Sequence, residues 1–263
     1  MKRPALSWTL AATVAAVVSS AMLLSCASVR RTVSVPPQVE GAHFTGNKSC
    51  AECHTNYTRV FAGSAHGRFH RESERAAGMT GCESCHGPGS KHIESGGDRR
   101  LIVNPRNDSK VCFDCHLQTH AEFNLPHHHP LPEGRLHCAQ CHDPHGTDIR
   151  KPSRGLALAR LNESCTECHR EQTRRFVFEH QALREGCTTC HNPHGSINSK
   201  LLTSRDANLC LRCHAQVQGA GFPAGEIYIG STRHTDFLRR GTCWSAGCHT
   251  SVHGSNADHK LRY

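Results

Sequence analysis

The chain has 263 residues, of which 5% are aromatic, with 22 glycines and 12 prolines. This composition excludes a large core built from side chains alone. Lysine and arginine outnumber aspartate and glutamate by 31 to 22, and there are 23 histidines and 17 cysteines. The fold therefore needs a source of stability other than a side-chain core.

The N-terminus has the features of an export signal. Two basic residues open the chain, an apolar run covers residues 10–24, and Cys26 follows a serine. The run is short for a transmembrane span, so we expect residues 1–25 to be a cleaved lipoprotein signal peptide and residues 26–47 to be a tether. A cysteine after a small residue resembles the bacterial lipoprotein box, which predicts lipid attachment at Cys26. An ordinary signal peptide with an incidental Cys26 is the alternative.

Sixteen of the cysteines form eight pairs, and a histidine follows every pair. Seven pairs have the spacing Cys-x-x-Cys-His, and the eighth, CWSAGCH, is longer by two residues. In chain order, motifs 1 to 8 are Cys50/Cys53/His54, Cys82/Cys85/His86, Cys112/Cys115/His116, Cys138/Cys141/His142, Cys165/Cys168/His169, Cys187/Cys190/His191, Cys210/Cys213/His214 and Cys243/Cys248/His249.

The pattern is the attachment signal of c-type haem. Two thiols form thioether bonds to one porphyrin, and the adjacent histidine binds the iron from one face. Zinc knuckles and disulfide frameworks also use cysteine pairs, but they need no following histidine. We therefore predict eight covalently attached haem c groups. For the longer eighth motif, a Cys243–Cys248 disulfide is the alternative.

The motifs alternate in context and define four repeats of two motifs each. The first cysteines of successive repeats are 62, 53 and 45 residues apart, and the even-numbered motifs follow a glycine-containing approach. Repetition at this spacing is typical of stacked units. We expect an octahaem domain at residues 48–263, with repeats at about 48–98, 99–152, 153–203 and 204–263.

Two further histidines recur in each repeat. Those before the even-numbered motif are His66, His128, His180 and His234, and those after it are His92, His145, His194 and His253. Eight such candidates for eight irons predict that every haem has two histidine ligands and no open position for a substrate. His128 aligns with His180 through a shared L-x-E-G. His70, His127 and His129 are close competitors for the positions before the even-numbered motifs. The pairing of these histidines with particular haems is left open.

The Pro-His-Gly form around His145 and His194 has a physical rationale. Proline fixes the backbone, and glycine permits a turn that most residues cannot make. We expect the intervening histidine to project toward a neighbouring haem.

The predicted fold is a multihaem cytochrome c with little regular structure, in which short α-helices and loops surround a haem core in an elongated, repeat-like array. Without residues 1–25 the formal charge falls from +9 to about +7. Two propionates on each of eight haems would lower it to about −9 in the reduced protein, and about one positive charge at each ferric haem would bring the oxidised protein to about −1. The basic residues thus have partners within the protein, which argues against nucleic-acid binding.

Several phrases resemble the DmsE/MtrA-type periplasmic multihaem cytochromes: GCESCHGPGSKH, HHPLPEGRLHCAQCHDPHG, FVFEHQALREGCTTCHNPHGSINSKLL, LCLRCH and GCHTSVHGSN. The resemblance extends over about residues 48–256 and implies an electron wire. Some members of this family lie inside an outer-membrane β-barrel porin and pass electrons to an extracellular cytochrome. The best-known members carry ten haems, whereas the eight motifs here fit an octahaem periplasmic partner of a porin–cytochrome conduit.

We therefore expect electron transfer without catalysis, in an outer-membrane lipoprotein that faces the periplasm. The expected partners are a β-barrel porin and other multihaem cytochromes. A soluble periplasmic or extracellular location is the alternative. The rival functions are a filament-forming cytochrome and a nitrite, hydroxylamine or tetrathionate reductase. Such reductases usually have one open haem, often at a motif ending in lysine, and no motif here ends in lysine.

Overall fold

The computed structural model describes residues 35–73, 81–146, 162–214, 225–229, 232–240 and 243–263. The predicted signal peptide and the predicted lipid-attachment residue Cys26 lie outside these ranges. The described residues belong to one compact unit, Val35–Tyr263. Within them, no helix has both the length and the apolar character needed to cross a bilayer.

The described chain consists of short helices, very short strands and loops, which confirms the predicted fold class. The α-helices are α1 (Asn47–Cys53), α2 (Thr55–Phe61), α3 (Ala65–Ser73), α4 (Cys82–His86), α5 (Ser90–Glu94), α6 (Lys110–Phe113), α7 (Leu117–Phe123), α8 (Arg170–Thr173), α9 (Ala207–Cys210) and α10 (Thr235–Arg239). The 3₁₀ turns are Arg99–Leu101, Cys138–Gln140, Gln181–Glu185, Cys187–Thr189 and Ser199–Leu201.

Four strands form two antiparallel pairs: β1 (Phe178–Glu179) with β4 (Gly254–Ser255), and β2 (Tyr228–Ile229) with β3 (Thr232–Arg233). In the first pair Phe178 lies opposite Ser255, and in the second Tyr228 lies opposite Arg233. The first pair is the more informative, because it joins the segments that lead into His180 and out of His253.

The haem-attachment motifs close into single helical turns. In motif 1 the His54 N–H donates to the Cys50 carbonyl at 2.9 Å, and the same bond recurs at 2.9–3.0 Å in motifs 3 to 7. In the longer motif 8 the His249 N–H reaches the Cys243 carbonyl at the same 2.9 Å, across six residues. Gly247 adopts a left-handed φ of 76° within the extra loop, which lets the chain turn there.

Motif 8 thus ends in the same hydrogen bond as the regular motifs, despite its two additional residues. The structure forms no disulfide between Cys243 and Cys248. Haem attachment at this motif, rather than the disulfide, stays a prediction, which the shared hydrogen bond supports.

Few apolar side chains are buried, as the composition predicts. Among the described residues the buried hydrophobic side chains are Phe123, Leu131 and Leu202, and Pro88 is fully enclosed. Buried polar side chains outnumber them, so much of the protein-only interior is held by hydrogen bonds.

Glu83, inside motif 2, shows how such a buried polar side chain organises the chain. Its carboxylate accepts hydrogen bonds from the backbone N–H groups of Thr45, Gly46 and Gly89 at 2.8–2.9 Å. Part of the predicted tether is therefore packed against the first repeat.

Candidate haem-binding sites

Consecutive motifs are neighbours in space. Within each repeat the first cysteines of the two motifs interact directly: Cys50 with Cys82, Cys112 with Cys138, Cys165 with Cys187, and Cys210 with Cys243. Between repeats the second cysteines interact electrostatically: Cys85 with Cys115, Cys141 with Cys168, and Cys190 with Cys213. These contacts connect motif 1 to motif 8 in chain order.

Hydrogen bonds between these cysteines shift the pKa values of their thiols. The hydrogen bond with Cys82 raises the pKa of the Cys50 thiol, and the same bond lowers the pKa of Cys82 to about 7. The equivalent bonds lower the pKa of Cys138 and of Cys187 to about 6.

Seven motif histidines face a second imidazole ring. The facing pairs, with the distances between ring centroids, are His54–His92 (6.3 Å), His86–His145 (6.1 Å), His116–His66 (5.9 Å), His142–His194 (6.0 Å), His169–His129 (6.1 Å), His191–His253 (6.2 Å) and His214–His180 (5.9 Å). A metal–nitrogen bond of about 2 Å and a nitrogen about 1.1 Å from its ring centre place two axial imidazoles about 6.2 Å apart. The residues present therefore fit irons with two histidine ligands.

In seven of these histidines the other ring nitrogen, Nδ1, is hydrogen-bonded to the protein. Nδ1 donates to a backbone carbonyl at 2.6–3.2 Å in six cases: His66 to Pro144, His86 to Val103, His92 to Asp98, His129 to Pro193, His180 to Val252, and His191 to Lys200. Metal-binding histidines commonly have such a partner, because it sets the ring orientation and leaves Nε2 for the metal. His194 differs, since its Nδ1 donates to the Glu122 carboxylate at 2.9 Å.

Three of the facing histidines have a lowered pKa. Burial is the main cause for His145, His214 and His253, and the opposite imidazole lowers the pKa further. A lower pKa favours the neutral ring at neutral pH, which is the form that binds a metal.

Six of the seven facing pairs join adjacent predicted repeats. The histidines that precede an even-numbered motif, His66, His129 and His180, face the first motif of the following repeat. The histidines that follow an even-numbered motif, His145, His194 and His253, face the second motif of the preceding repeat. At the N-terminal end His92 has no preceding repeat to serve, and it faces His54 in its own repeat.

One hydrogen bond recurs at all three junctions between repeats. The Nδ1–H groups of His66, His129 and His180 each donate to the carbonyl of the residue just before the next repeat's facing histidine. In two of the three junctions that residue is the proline of Pro-His-Gly. The proline carbonyl thus holds the exchanged ligand of the neighbouring repeat.

At motif 5 the structure favours His129 over the predicted His128. The Nδ1 of His128 hydrogen-bonds the Leu125 carbonyl at 2.6 Å, and its Nε2 pairs with Glu133 at 3.0 Å. Both nitrogens of His128 are therefore engaged away from any motif histidine, whereas His129 faces His169. His128 aligns with His180 through L-x-E-G, but its ring is bonded to Glu133.

Motif 8 lacks such a pair in the part of the chain that the structure describes. The Nδ1–H of His249 donates to the Lys260 carbonyl at 2.8 Å, as in other motif histidines. The predicted ligand His234 instead donates to the Thr232 carbonyl and contacts the Phe237 ring at 5.8 Å. The structure does not bring His234 and His249 together, and this pairing stays a prediction.

The glycine of Pro-His-Gly has a different role from the one expected at His194. Gly195 does not adopt a left-handed φ; a Cβ there would overlap the Glu122 carbonyl oxygen. Gly67, after His66, similarly leaves room for the Phe61 carbonyl. Only close approach of another backbone requires these two glycines.

Two kinds of residue that support the motifs were not predicted from the sequence. Asn47 and Asn162, each three residues before the first cysteine of a repeat, accept the backbone N–H of Cys82 and Cys187 at 2.9 and 3.1 Å. They brace the two motifs of a repeat against each other. The recurrence of Asn-x-Ser-Cys was the available signal.

Serines of the repeated His-Gly-Ser close the loops that follow the facing histidines. Ser196 donates to the Leu202 carbonyl at 2.6 Å, and Ser255 donates to the Tyr263 carbonyl. These loops carry the carbonyls of Lys200 and Lys260, which accept the Nδ1–H of the motif 6 and motif 8 histidines.

Comparison with known proteins agrees with this arrangement. The family described as "Doubled CXXCH motif" matches residues 128–174 and 180–219. The multiheme cytochrome MtrA of Shewanella baltica is 34% identical over 218 residues, which is 80% of this chain and 58% of that protein. The C-type polyheme cytochrome OmcB of Geobacter sulfurreducens is 31% identical over 103 residues, which is 39% of this chain and 13% of OmcB.

The chain thus spans little more than half the length of MtrA. The similarity nonetheless covers most of this chain, and the doubled motif coincides with the paired attachment turns and facing imidazoles described above. Covalently bound haem c is the cofactor that these motifs support. The comparisons and the paired motifs support a multihaem c-type cytochrome of the MtrA type.

Proposed function

We propose that the chain transfers electrons along eight covalently attached c-type haems, placed in the order of motifs 1 to 8. The seven facing imidazole pairs carry this proposal, because two histidine ligands occupy both axial positions of an iron. When bound, haem supplies one-electron chemistry through its ferric and ferrous states. The protein supplies ligands, attachment and surroundings, and no position for a substrate.

The order of the sites is supported by the cysteine contacts. Attachment cysteines of each pair of consecutive motifs interact, from motif 1 to motif 8. The first cysteines interact within a repeat, and the second cysteines interact between repeats. This alternation supports one continuous series of haems across the four proposed repeats, rather than separate two-haem units.

The exchanged ligands make the repeats mutually dependent. Each junction has two histidines donated across it in opposite directions, and a hydrogen bond from one donated ligand to the backbone beside the other. We propose the same arrangement at the junctions of His129 with His194 and of His180 with His253. Loss of one ligand should therefore alter a haem attached to the neighbouring repeat.

We propose a lipid anchor at Cys26, a location at the periplasmic side of the outer membrane, and a β-barrel porin and other multihaem cytochromes as partners in extracellular electron transfer. The lipoprotein-like N-terminus and the similarity to MtrA and OmcB support this proposal. Metabolic labelling should place fatty acid on the wild-type protein, and Cys26→Ala should remove the label and release a haem-loaded protein. If the wild-type protein is soluble and carries no fatty-acid label, the proposed lipid anchor is rejected.

The haem content and iron ligation test the central proposal together. The mass of the holoprotein should exceed that of the polypeptide by eight haems, and low-temperature magnetic resonance of the oxidised protein should show only low-spin ferric iron. This second expectation includes His234 as the eighth ligand. A high-spin signal together with turnover of nitrite, hydroxylamine or tetrathionate would instead support the reductase alternative.

Affinity purification from outer membranes tests the proposed setting. A β-barrel protein and a second cytochrome should be recovered with the wild-type chain. Recovery of homo-oligomers of this chain, without other proteins, would support a filament and contradict the conduit.

A further inference from the structure

One facing histidine, His194, hydrogen-bonds a carboxylate through its Nδ1 atom. In seven facing or motif histidines Nδ1 hydrogen-bonds a backbone carbonyl. The Nδ1–H of His194 donates to Oε2 of Glu122 at 2.9 Å. His194 faces His142, so Glu122 acts on a ligand of the haem at motif 4.

Glu122 is held in this position by its backbone as well as by its side chain. It lies in the last turn of α7, and its carbonyl oxygen occupies the space that a Cβ on Gly195 would need. The neighbouring Phe123 is buried, and its ring centroid lies 5.4 Å from that of His194. The contact is therefore fixed by packing on both sides.

The interaction is also shielded from solvent. The side chain of His194 is 14% exposed and that of Glu122 is 25% exposed. A charge in such surroundings is screened less than one at the open surface, so the carboxylate acts more strongly on its neighbours.

We propose that Glu122 is a positioning residue that lowers the reduction potential of the haem at motif 4. A carboxylate acceptor makes the imidazole a stronger electron donor to iron, and its negative charge favours the more positive, ferric state. Both effects act in the same direction. The inference rests on the proposed function, because it needs haem bound between His142 and His194.

The other acidic neighbours of histidine do not provide this interaction. Asp143 is 3.9 Å from Nδ1 of His145, too far for a hydrogen bond, and accepts the backbone N–H of His145 instead. Glu133 does bond a histidine, but that residue is His128, which faces no motif histidine. Glu133→Gln is therefore a matched control for Glu122→Gln.

The test uses the full-length holoprotein and a potentiometric titration followed by haem absorbance and by magnetic resonance at poised potentials. Glu122→Gln, which removes the charge but keeps an acceptor, should move one component to higher potential and leave the rest in place. A tenfold change in the ferric-to-ferrous ratio of that haem corresponds to about 59 mV. Glu122→Met, which also removes the acceptor, should move the same component at least as far.

His194→Ala identifies which redox component belongs to the motif 4 haem. It also distinguishes a failure of the ligand assignment from a failure of the role proposed for Glu122. It should turn one haem high-spin, and that haem should be the one that responds to Glu122→Gln. If His194→Ala leaves every haem low-spin, the ligand assignment in the proposed function fails. If His194→Ala opens a haem but neither Glu122 variant raises its potential, or if Glu133→Gln moves the same component, the role of Glu122 is rejected.

Discussion

Adjacent histidines at the second junction offer a direct test of the ligand arrangement. His129→Ala should remove one axial ligand from the haem of motif 5 and leave its attachment through Cys165, Cys168 and His169 intact. That haem should become high-spin and bind carbon monoxide when reduced, so the expected signal is one ligand-binding haem among the eight predicted from the motifs.

The variant also removes a structural contact. His129 donates to the Pro193 carbonyl at 2.6 Å, and loss of a hydrogen bond of this kind costs about 1 kcal/mol of folding free energy. The protein should therefore stay folded, with a small decrease in thermal stability. Carbon monoxide titration of the dithionite-reduced protein, together with magnetic resonance of the oxidised protein, measures the opened site.

His128→Ala is the matched control. Its ring bonds Leu125 and Glu133 and faces no motif histidine, so all haems should keep their wild-type spectra. The reasoning is refuted if His128→Ala opens a haem and His129→Ala does not.

Three further predictions follow from the geometry of the facing rings and attachment turns. Intact-mass measurement should find haem on the longer eighth motif, because its turn closes with the same hydrogen bond as the others; a mass short by one haem would restore the disulfide. The ring planes of His66 and His116 are 86° apart and those of His129 and His169 are 62° apart, whereas four other pairs lie within 17° of parallel. Magnetic resonance should therefore resolve at least two classes of low-spin ferric signal, and His66→Ala should diminish the class with the larger maximum g value. Gly195→Ala should destabilise the holoprotein by about 1–3 kcal/mol, since its Cβ overlaps the Glu122 carbonyl, while Gly63→Ala, with its nearest atom at 3.6 Å, should change thermal unfolding little.

The sequence alone predicts the structural features that depend on residues close together in the chain. Each attachment motif is a run of five or seven residues that closes on itself in one turn, so its two thiols and its histidine are brought together locally. The small hydrophobic interior and the short helices of the described residues also follow from composition. For the same reason, the recurrence of two extra histidines in each repeat is visible without a structure.

The assignment of those histidines required the tertiary structure. His66 reaches His116 and His145 reaches His86 across a repeat boundary, and no spacing in the sequence distinguishes this exchange from pairing within a repeat. The same limit explains the choice of His128, whose alignment was sound but whose ring is held by Glu133.

The environment of a ligand is decided by packing in the same way. Glu122 and His194 are 72 residues apart, and their contact exists because a glycine lets two backbones approach closely. Local sequence therefore determines where haems are attached. Long-range packing determines which histidine faces each motif histidine and what that histidine in turn contacts, because those partners come from segments that meet only in the folded chain.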